Sequence, residues 1–480
     1  MSFSPYHFGR LLCCLFCLFA LALPQPLARA GVMALGDFSV GEEREVGEQL
    51  LTIVRREFKL LDDPDIVQYI RGLGGSMVET AGPRFFDYHF FVINSREVNA
   101  FAAPSGLIFF HSGLIELMDN ENEFVGVIAH EVGHVASRHF ASRLEKTAKT
   151  NIASMAVLLA GIAMGGGPVS EALIAGSMAA GVSMQLQFSR QDEEESDRRA
   201  FKWMQEQGRD PAAMVGMLGE LRRMERIRGG TIPPYLLTHP EPGKRMGYVQ
   251  EMLLFSAKGS YRPVDEFPFQ RLKKRLMALT GSPESLMPYY RTRIATAQAD
   301  DPETAMARYG LALLYQATAD FDQAEAEMRR VIAIHPDRPM LQVDLGVIFF
   351  EAGRYDEALP LFRAVAEKEP ENGYAGFYLA RTLEQLGQRR EAEALYEKLL
   401  PLLPDYPKLF YRLGNIKAGQ GKNSESYYYL GNFYWLEGDM VLARRHLSQA
   451  VVEAGETDPR TGEKAAELLE RIKRIEKSMK

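Results

Sequence analysis

The chain has 480 residues, with 56 Lys and Arg against 63 Asp and Glu, a formal net charge of −7. That length is too great for one hydrophobic core and divides into two or three domains. The mild acidity leaves no basic footprint, so no nucleic-acid partner is expected.

Residues 1–30 read as a secretory signal. Arg10 supplies the positive start, Leu11 to Leu23 the apolar core, and Ala28-Arg29-Ala30 the cleavage site. The apolar core is too short to span a bilayer stably. All three cysteines, Cys13, Cys14 and Cys17, lie in this segment. The mature chain then offers neither disulfides nor thiolate chemistry. No lipobox-like small residues precede Cys17, so a lipoprotein is not expected.

Residues 31–255 read as one mixed α/β domain. Val40 to Leu60 is a charged amphipathic helix, and Asp87 to Asn94 is an aromatic, β-branched strand. Residues 99–106 lead into a second strand, Leu107 to His111. Pro104 puts that strand after a turn or at a sheet edge. An edge there would hold an extended peptide by main-chain pairing; an ordinary covered strand fits the sequence equally.

The next helix carries His130-Glu131-Val132-Gly133-His134. Two imidazoles four residues apart share one helical face, with a carboxylate beside them. Such a pair binds Zn²⁺ and leaves room for a third ligand and a water, whose proton Glu131 can take. Asn120 and Glu123 read as the helix start, and Phe124, Val127, Ile128, Val132 and Val135 as its packed side. Gly126 and Gly133 each cost about 1 kcal/mol in a helix interior, which implies close approach of another element. His139 is five residues past His134, off the ligand face, and reads as a surface histidine. A local third ligand would need Gly at 137 and His at 140; Ser137 and Phe140 stand there, so it comes from elsewhere.

Residues 151–185 hold two small, apolar runs around Gly165-Gly166-Gly167, each too short for a normal membrane span. They read as two buried helices with a hinge, or as a mobile segment making peripheral membrane contact. Ser189 with Asp192 starts a further helix, which Gly208 and Pro211 stop. Glu193, Asp197, Ala200 and Met204 share its partly apolar stripe. Glu195, Arg199, Lys202 and Glu206 share the solvent side. Helical phase therefore selects Glu193 over Glu195 as the third ligand, with Asp197 placed to hydrogen-bond a ligating histidine.

Residues 256–304 form a helical linker, with helices at Pro268–Leu279 and Pro283–Gln298. From 305 to 480 the chain repeats every 34 residues, the period of tetratricopeptide helix pairs. The units carry Leu311-Ala312, Tyr315, Phe321, Ala324, Met328 and Pro336; then Leu345-Gly346, Phe349, Tyr355, Ala358, Phe362 and Pro370; then Leu379-Ala380, Leu383, Arg389, Ala392, Tyr396 and Pro404. A half unit at 407–423 interrupts the series before a fourth begins at Leu430-Gly431. Glu463 to Lys480 reads as a charged capping helix. Such an array binds a protein or peptide on its concave face, or serves as a spacer.

In combination, four motifs resemble the M48 family of membrane-associated or exported zinc peptidases. They are Asn99-Ala100-Phe101-Ala102, His130 to His134, the run from Ser189-Arg190 through Glu193 to Asp197, and Thr238-His239-Pro240 with Arg245. Ser196 stands where the family usually has Ala. The resemblance implies an α+β, mainly helical fold: a zincin-type metallopeptidase domain with a small sheet, then an α-helical tetratricopeptide solenoid. It implies one Zn²⁺ per chain on His130, His134 and Glu193, with Glu131 as general base, Asp197 supporting catalysis and Arg245 behind them. His239 is then a removable fourth ligand that keeps the enzyme latent, or a group that stabilises the oxyanion; both readings stand. The implied protein is a periplasmic endopeptidase whose clients are outer-membrane β-barrel proteins or their assembly machinery. The rival reading is a chaperone-like assembly factor with a mostly latent peptidase.

Overall fold

The computed structural model describes residues 39–146, 161, 188–227, 234–256, 261–296 and 302–479. The expected signal at 1–30 lies outside the described residues, as does the apolar segment 151–185 apart from Gly161. Helix α1 (Val40–Glu57) starts at Ser39, whose hydroxyl and the Glu42 carboxylate satisfy each other's backbone N–H groups. Helix α2 (Pro64–Ala81) starts at Asp63, whose carboxylate accepts from the N–H groups of Asp65 and Ile66. Three strands follow: β1 (His89–Ile93), β2 (Ala100–Ala103) and β3 (Leu107–His111). Their order is β1-β3-β2, with β3 parallel to β1 and antiparallel to β2.

Of the two placements that Pro104 allows for 107–111, after a turn or at a sheet edge, the structure takes the first. That strand is central and fully buried, and residues 100–103 form a strand of their own. Pro104 opens a one-turn 3₁₀ segment in which Ser105 takes φ 67 and Gly106 φ 80. The chain reverses there, so Phe101 pairs with Phe109. A side chain at Gly106 would meet the Asp87 carbonyl oxygen at 2.3 Å, so only glycine fits the turn. The proline marks a strand end rather than a sheet edge.

Helices α3 (Ser112–Leu117), α4 (Glu121–Ala136), α5 (His139–Lys146), α6 (Arg190–Glu206), α7 (Ala213–Ile227), α8 (Pro234–Thr238) and α9 (Pro242–Phe255) complete this unit. Helix α4 packs Phe124, Val127, Ile128 and Val132 into a core shared with Phe110, Phe201, Trp203 and Met204. Each such buried side chain contributes roughly 1.5–3 kcal/mol, which outweighs the cost of the α4 glycines. Those glycines let neighbours close in. A side chain at Gly133 would lie 3.1 Å from the Ser196 Cα on α6, and one at Gly126 3.3 Å from Met214 on α7.

Helices α10 (Phe267–Thr280) and α11 (Pro283–Thr296) lead into the repeats. These are α12 (Pro302–Ala317), α13 (Phe321–Ile334), α14 (Pro339–Glu351), α15 (Tyr355–Lys368), α16 (Gly373–Gln385), α17 (Arg389–Leu399), α18 (Pro407–Gly419), α19 (Asn423–Leu436), α20 (Met440–Ala454) and α21 (Pro459–Ser478). The expected half unit is not an interruption. Added side chains at Gly346, Gly414 and Gly431 would each meet the next helix at under 3 Å, through Phe362, Leu430 and Leu447 respectively. Helix α19 therefore fills its predecessor's groove with Leu430 and offers Gly431 to its successor. One helix serves two pairs.

The array curls back on the first unit. Asp405 binds Arg55 of α1 at 3.2 Å and His89 of β1 at 3.1 Å. Arg471 of α21 reaches Glu48 at 2.9 Å, and Gln49 meets Ser478 at 3.0 Å. On α10, Arg271 pairs with Asp65 and with Asp344 of α14, both at 2.8 Å. Arg275 pairs with Asp63 at 2.7 Å and Asp344 at 3.3 Å.

Candidate metal centre

Helix α4 turns His130, Glu131 and His134 into the interior, where all three are buried. Glu193 and Asp197 come from α6, packed against α4 at the Gly133–Ser196 contact. The end of α8 supplies His239, and α9 supplies Arg245. One ligand atom each from His130, His134, Glu193 and His239 lie within 4.8 Å of one another. The Nε2 atoms of His130 and His134 are 3.0 Å apart. Glu193 reaches them at 3.5 and 3.4 Å through its two oxygens. The Nδ1 of His239 is 3.0 Å from Glu193 and 3.3 Å from His130 Nε2, and its Nε2 is 3.5 Å from Glu131.

Glu193 is 2 % exposed, whereas the Glu195 side chain is 47 % exposed, paired with Arg199 and Ser137. Behind the converging atoms, His130 Nδ1 donates to Asp197 at 2.7 Å. Arg245 grips both Asp197 oxygens at 2.8 Å and Glu193 at 2.8 Å. Tyr248, one turn along α9, also donates to Asp197. Tyr235 stacks on His239 at 4.4 Å, and Phe188 lies over His134 at 3.8 Å and His239 at 5.3 Å. Sequence reading missed these three aromatics. Tyr235 and Tyr248 sit three or four residues from His239 and Arg245, which was the only local signal.

The surface reading of His139 is wrong. His139 is 4 % exposed, and its Nδ1 lies 3.0 Å from Nδ1 of His134. Helix α4 ends at Ala136 and Arg138 takes φ 49, so the chain turns back. Helical phase does not extend through a left-handed residue.

The donor set fits a divalent cation bound through nitrogen and oxygen. Three carboxylates (Glu131, Glu193 and Asp197) face one guanidinium, which leaves two negative charges if the imidazoles are neutral. Both Glu131 oxygens and His239 Nε2 are buried without a hydrogen-bonding partner among the described residues. Such atoms are rare in a closed core. Burial would raise Glu193, yet His239, Arg245 and His130 hold it well below its ordinary range. Burial likewise opposes the ionised form of Asp197, and Arg245 overcomes it. Burial and Arg245 disfavour a proton on His130, but Asp197 and Glu193 outweigh them and push it up to about 9. Burial drives His134 well down. The cluster collects positive charge between its carboxylates.

Residues 67–253 match the model of peptidase family M48, and residues 291–339 and 349–413 match tetratricopeptide repeat models. The chain is 29% identical over 320 residues to the beta-barrel assembly-enhancing protease of Escherichia coli (strain K12), covering 64% of this chain and 62% of the relative. The chain thus spans less than two thirds of that relative's length. It is 26% identical over 429 residues to the protease of the same name from Yersinia pestis, covering 88% and 86%. It is 28% identical over 168 residues to the metalloprotease LoiP of Escherichia coli (strain K12), covering 34% and 61%. The mainly helical fold and these matches agree: residues 67–253 are similar to peptidase family M48, and tetratricopeptide repeats follow.

Proposed function

We propose that this chain, an M48 metallopeptidase domain joined to tetratricopeptide repeats, is an exported zinc endopeptidase that recruits protein clients through its repeats. Its setting is the periplasm, and its work is quality control or assembly of outer-membrane proteins. One observation carries the reading. Three ligand atoms, from His130, His134 and Glu193, converge beside Glu131, whose buried oxygens have no hydrogen-bonding partner among the described residues. The names of the relatives support the client class, and the leader-like residues 1–30 support export. No described helix is long and apolar enough to cross a membrane.

When bound, zinc supplies a Lewis acid for the scissile carbonyl and makes a water acidic enough to attack at neutral pH. Glu131 would serve as the base that takes a proton from the attacking water and as the acid that returns it to the leaving amine. Asp197 holds the His130 ring by Nδ1, so that Nε2 faces inward. Arg245 fixes Asp197 and Glu193 together and neutralises one of their charges. Replacing Glu131 with Gln keeps every ligand and removes the base. Glu131→Gln should bind zinc as the parent does and lose peptide hydrolysis by at least about 10²-fold. Cleavage at the parent rate would overturn the assignment.

His239 supports the reading of a mostly latent peptidase, because it lies among the ligand atoms and is fully buried. A fourth protein ligand would exclude water from the metal. His239→Ala should then raise the initial rate of peptide cleavage by zinc-loaded protein. An oxyanion donor would behave oppositely, its loss costing on the order of 10²–10³ in rate. A large fall with zinc retained would replace latency with catalysis.

A further inference from the structure

The two histidines of α4 are backed by different chemistry. Nδ1 of His130 meets a carboxylate, Asp197, at 2.7 Å. Among the described residues, Nδ1 of His134 meets no carboxylate. It lies 3.0 Å from Nδ1 of His139, with both rings buried and at 71° to each other. The far nitrogen of His139 points at α6: Nε2 is 3.4 Å from Glu195 and 3.9 Å from Asp192. The Ser196 hydroxyl is a longer neighbour of His139 Nδ1 at 3.4 Å.

These distances admit one continuous set of donors and acceptors. An imidazole with one N–H donates at one nitrogen and accepts at the other. His139 Nε2–H donates toward Glu195, so Nδ1 carries the lone pair. His134 Nδ1–H donates to that lone pair. His134 then carries its own lone pair on Nε2, the atom 3.4 Å from Glu193 and 3.0 Å from His130 Nε2. The reverse tautomer would aim an N–H at the metal.

We infer that His139 is the positioning residue for the ligand His134, accepting its Nδ1–H and holding Nε2 toward the metal. The inference rests on the metal reading above. It gives His139 a task that a carboxylate performs for His130. The left-handed turn at Arg138 brings it there. Glu195, though exposed, becomes the outer end of the relay rather than a solvated neighbour of Glu193.

The test is zinc affinity of the full-length protein, measured by competition with a chromophoric chelator. His139→Phe keeps a ring of similar volume and removes both nitrogens. It should weaken zinc binding roughly 10–100-fold, the usual cost of losing such a partner. His139→Asn places an amide oxygen near the position of Nδ1 and should recover most of that loss. The visible spectrum of the cobalt-substituted protein should change in the Phe variant and return toward the parent in the Asn variant. Parent-like affinity in His139→Phe would overturn the inference. Equal weakening in both variants would also overturn it, since packing alone then explains the effect. Failure of the metal reading looks different: the parent itself would not take up one zinc, and His130→Ala would match it.

Discussion

Two of the charge clusters buried among the described residues are built to opposite ends. At the seam between the peptidase domain and the repeats, Arg271 and Arg275 face Asp63, Asp65 and Asp344, and Tyr374 adds a hydroxyl to Asp344 at 3.1 Å. Two guanidinium groups answer three carboxylates. Burial relieves the surplus by pushing Asp65 up, while Arg275 overcomes burial and holds Asp63 low. At the metal centre one guanidinium answers three carboxylates, and Glu193 and Asp197 both stay low. The surplus there falls on atoms with no hydrogen-bonding partner among the described residues, the two Glu131 oxygens among them. Buried charge by itself therefore does not mark a site, because a network in which every acid faces a guanidinium is structural. One that leaves an acid without a guanidinium beside a pair of imidazoles is where chemistry belongs.

The sharpest way to break this contrast is to remove an acid from each cluster. Glu193→Ala should empty the metal centre, lowering zinc content after dialysis by more than the roughly 10–100-fold typical of an outer partner. Glu195→Ala should lose far less. Equal metal content in the two, by atomic emission, would remove the distinction between the two faces of α6.

Asp344→Ala removes the acid shared by both seam arginines. Leaving them buried and underpaired should lower unfolding free energy by about 3–5 kcal/mol, with zinc content unchanged. Denaturant titration and metal analysis on the same preparation check both halves. Loss of zinc in this variant would mean that the seam helps to build the centre.

The smallest effect concerns Asp405. Burial would raise this carboxyl, but its hydrogen bond to His89 and the charge of Arg55 hold it below its ordinary value. A carboxyl lowered by folding stabilises the fold above its unfolded pKa, near 3.9. That contribution fades as pH falls through the lower folded value. Asp405→Asn should therefore differ from the parent at neutral pH and converge with it below about pH 4. The partly exposed pair limits the difference to roughly 1 kcal/mol or less. A difference that persists unchanged into strong acid would rule out the ion pair as its source.

Much of the architecture was legible because it rests on short periods. The 34-residue spacing marked the repeat helices, since each small residue recurs where neighbours must approach. The two helices of the 256–304 segment lie within two residues of their expected ends. The four-residue spacing of His130 and His134 puts them on one face, and the phase of α6 separates Glu193 from Glu195. Each of these follows from helical geometry within a few turns. The misses have the opposite character. Strand β2 is short, and three of its four residues are alanine, so nothing local distinguished it from a loop. Helix α18 was read as half a unit because its partner, the doubly used α19, carries the opening signature of the next pair. His139 was placed by extending a helix beyond a residue that ends it.

The sequence by itself determined which segments become helices, which repeats stack, and which residues have the chemistry to hold a cation. Those properties depend on neighbours three, four or 34 positions away. Only the tertiary structure decided that α6 meets α4 at Gly133, that α10 is pinned between domains by two arginines, and that His139 stands behind His134. Those contacts join residues up to 212 positions apart, or residues separated by a reversal of the chain. No local period encodes them; they arise when packing chooses which faces meet and electrostatics chooses which buried charges are answered.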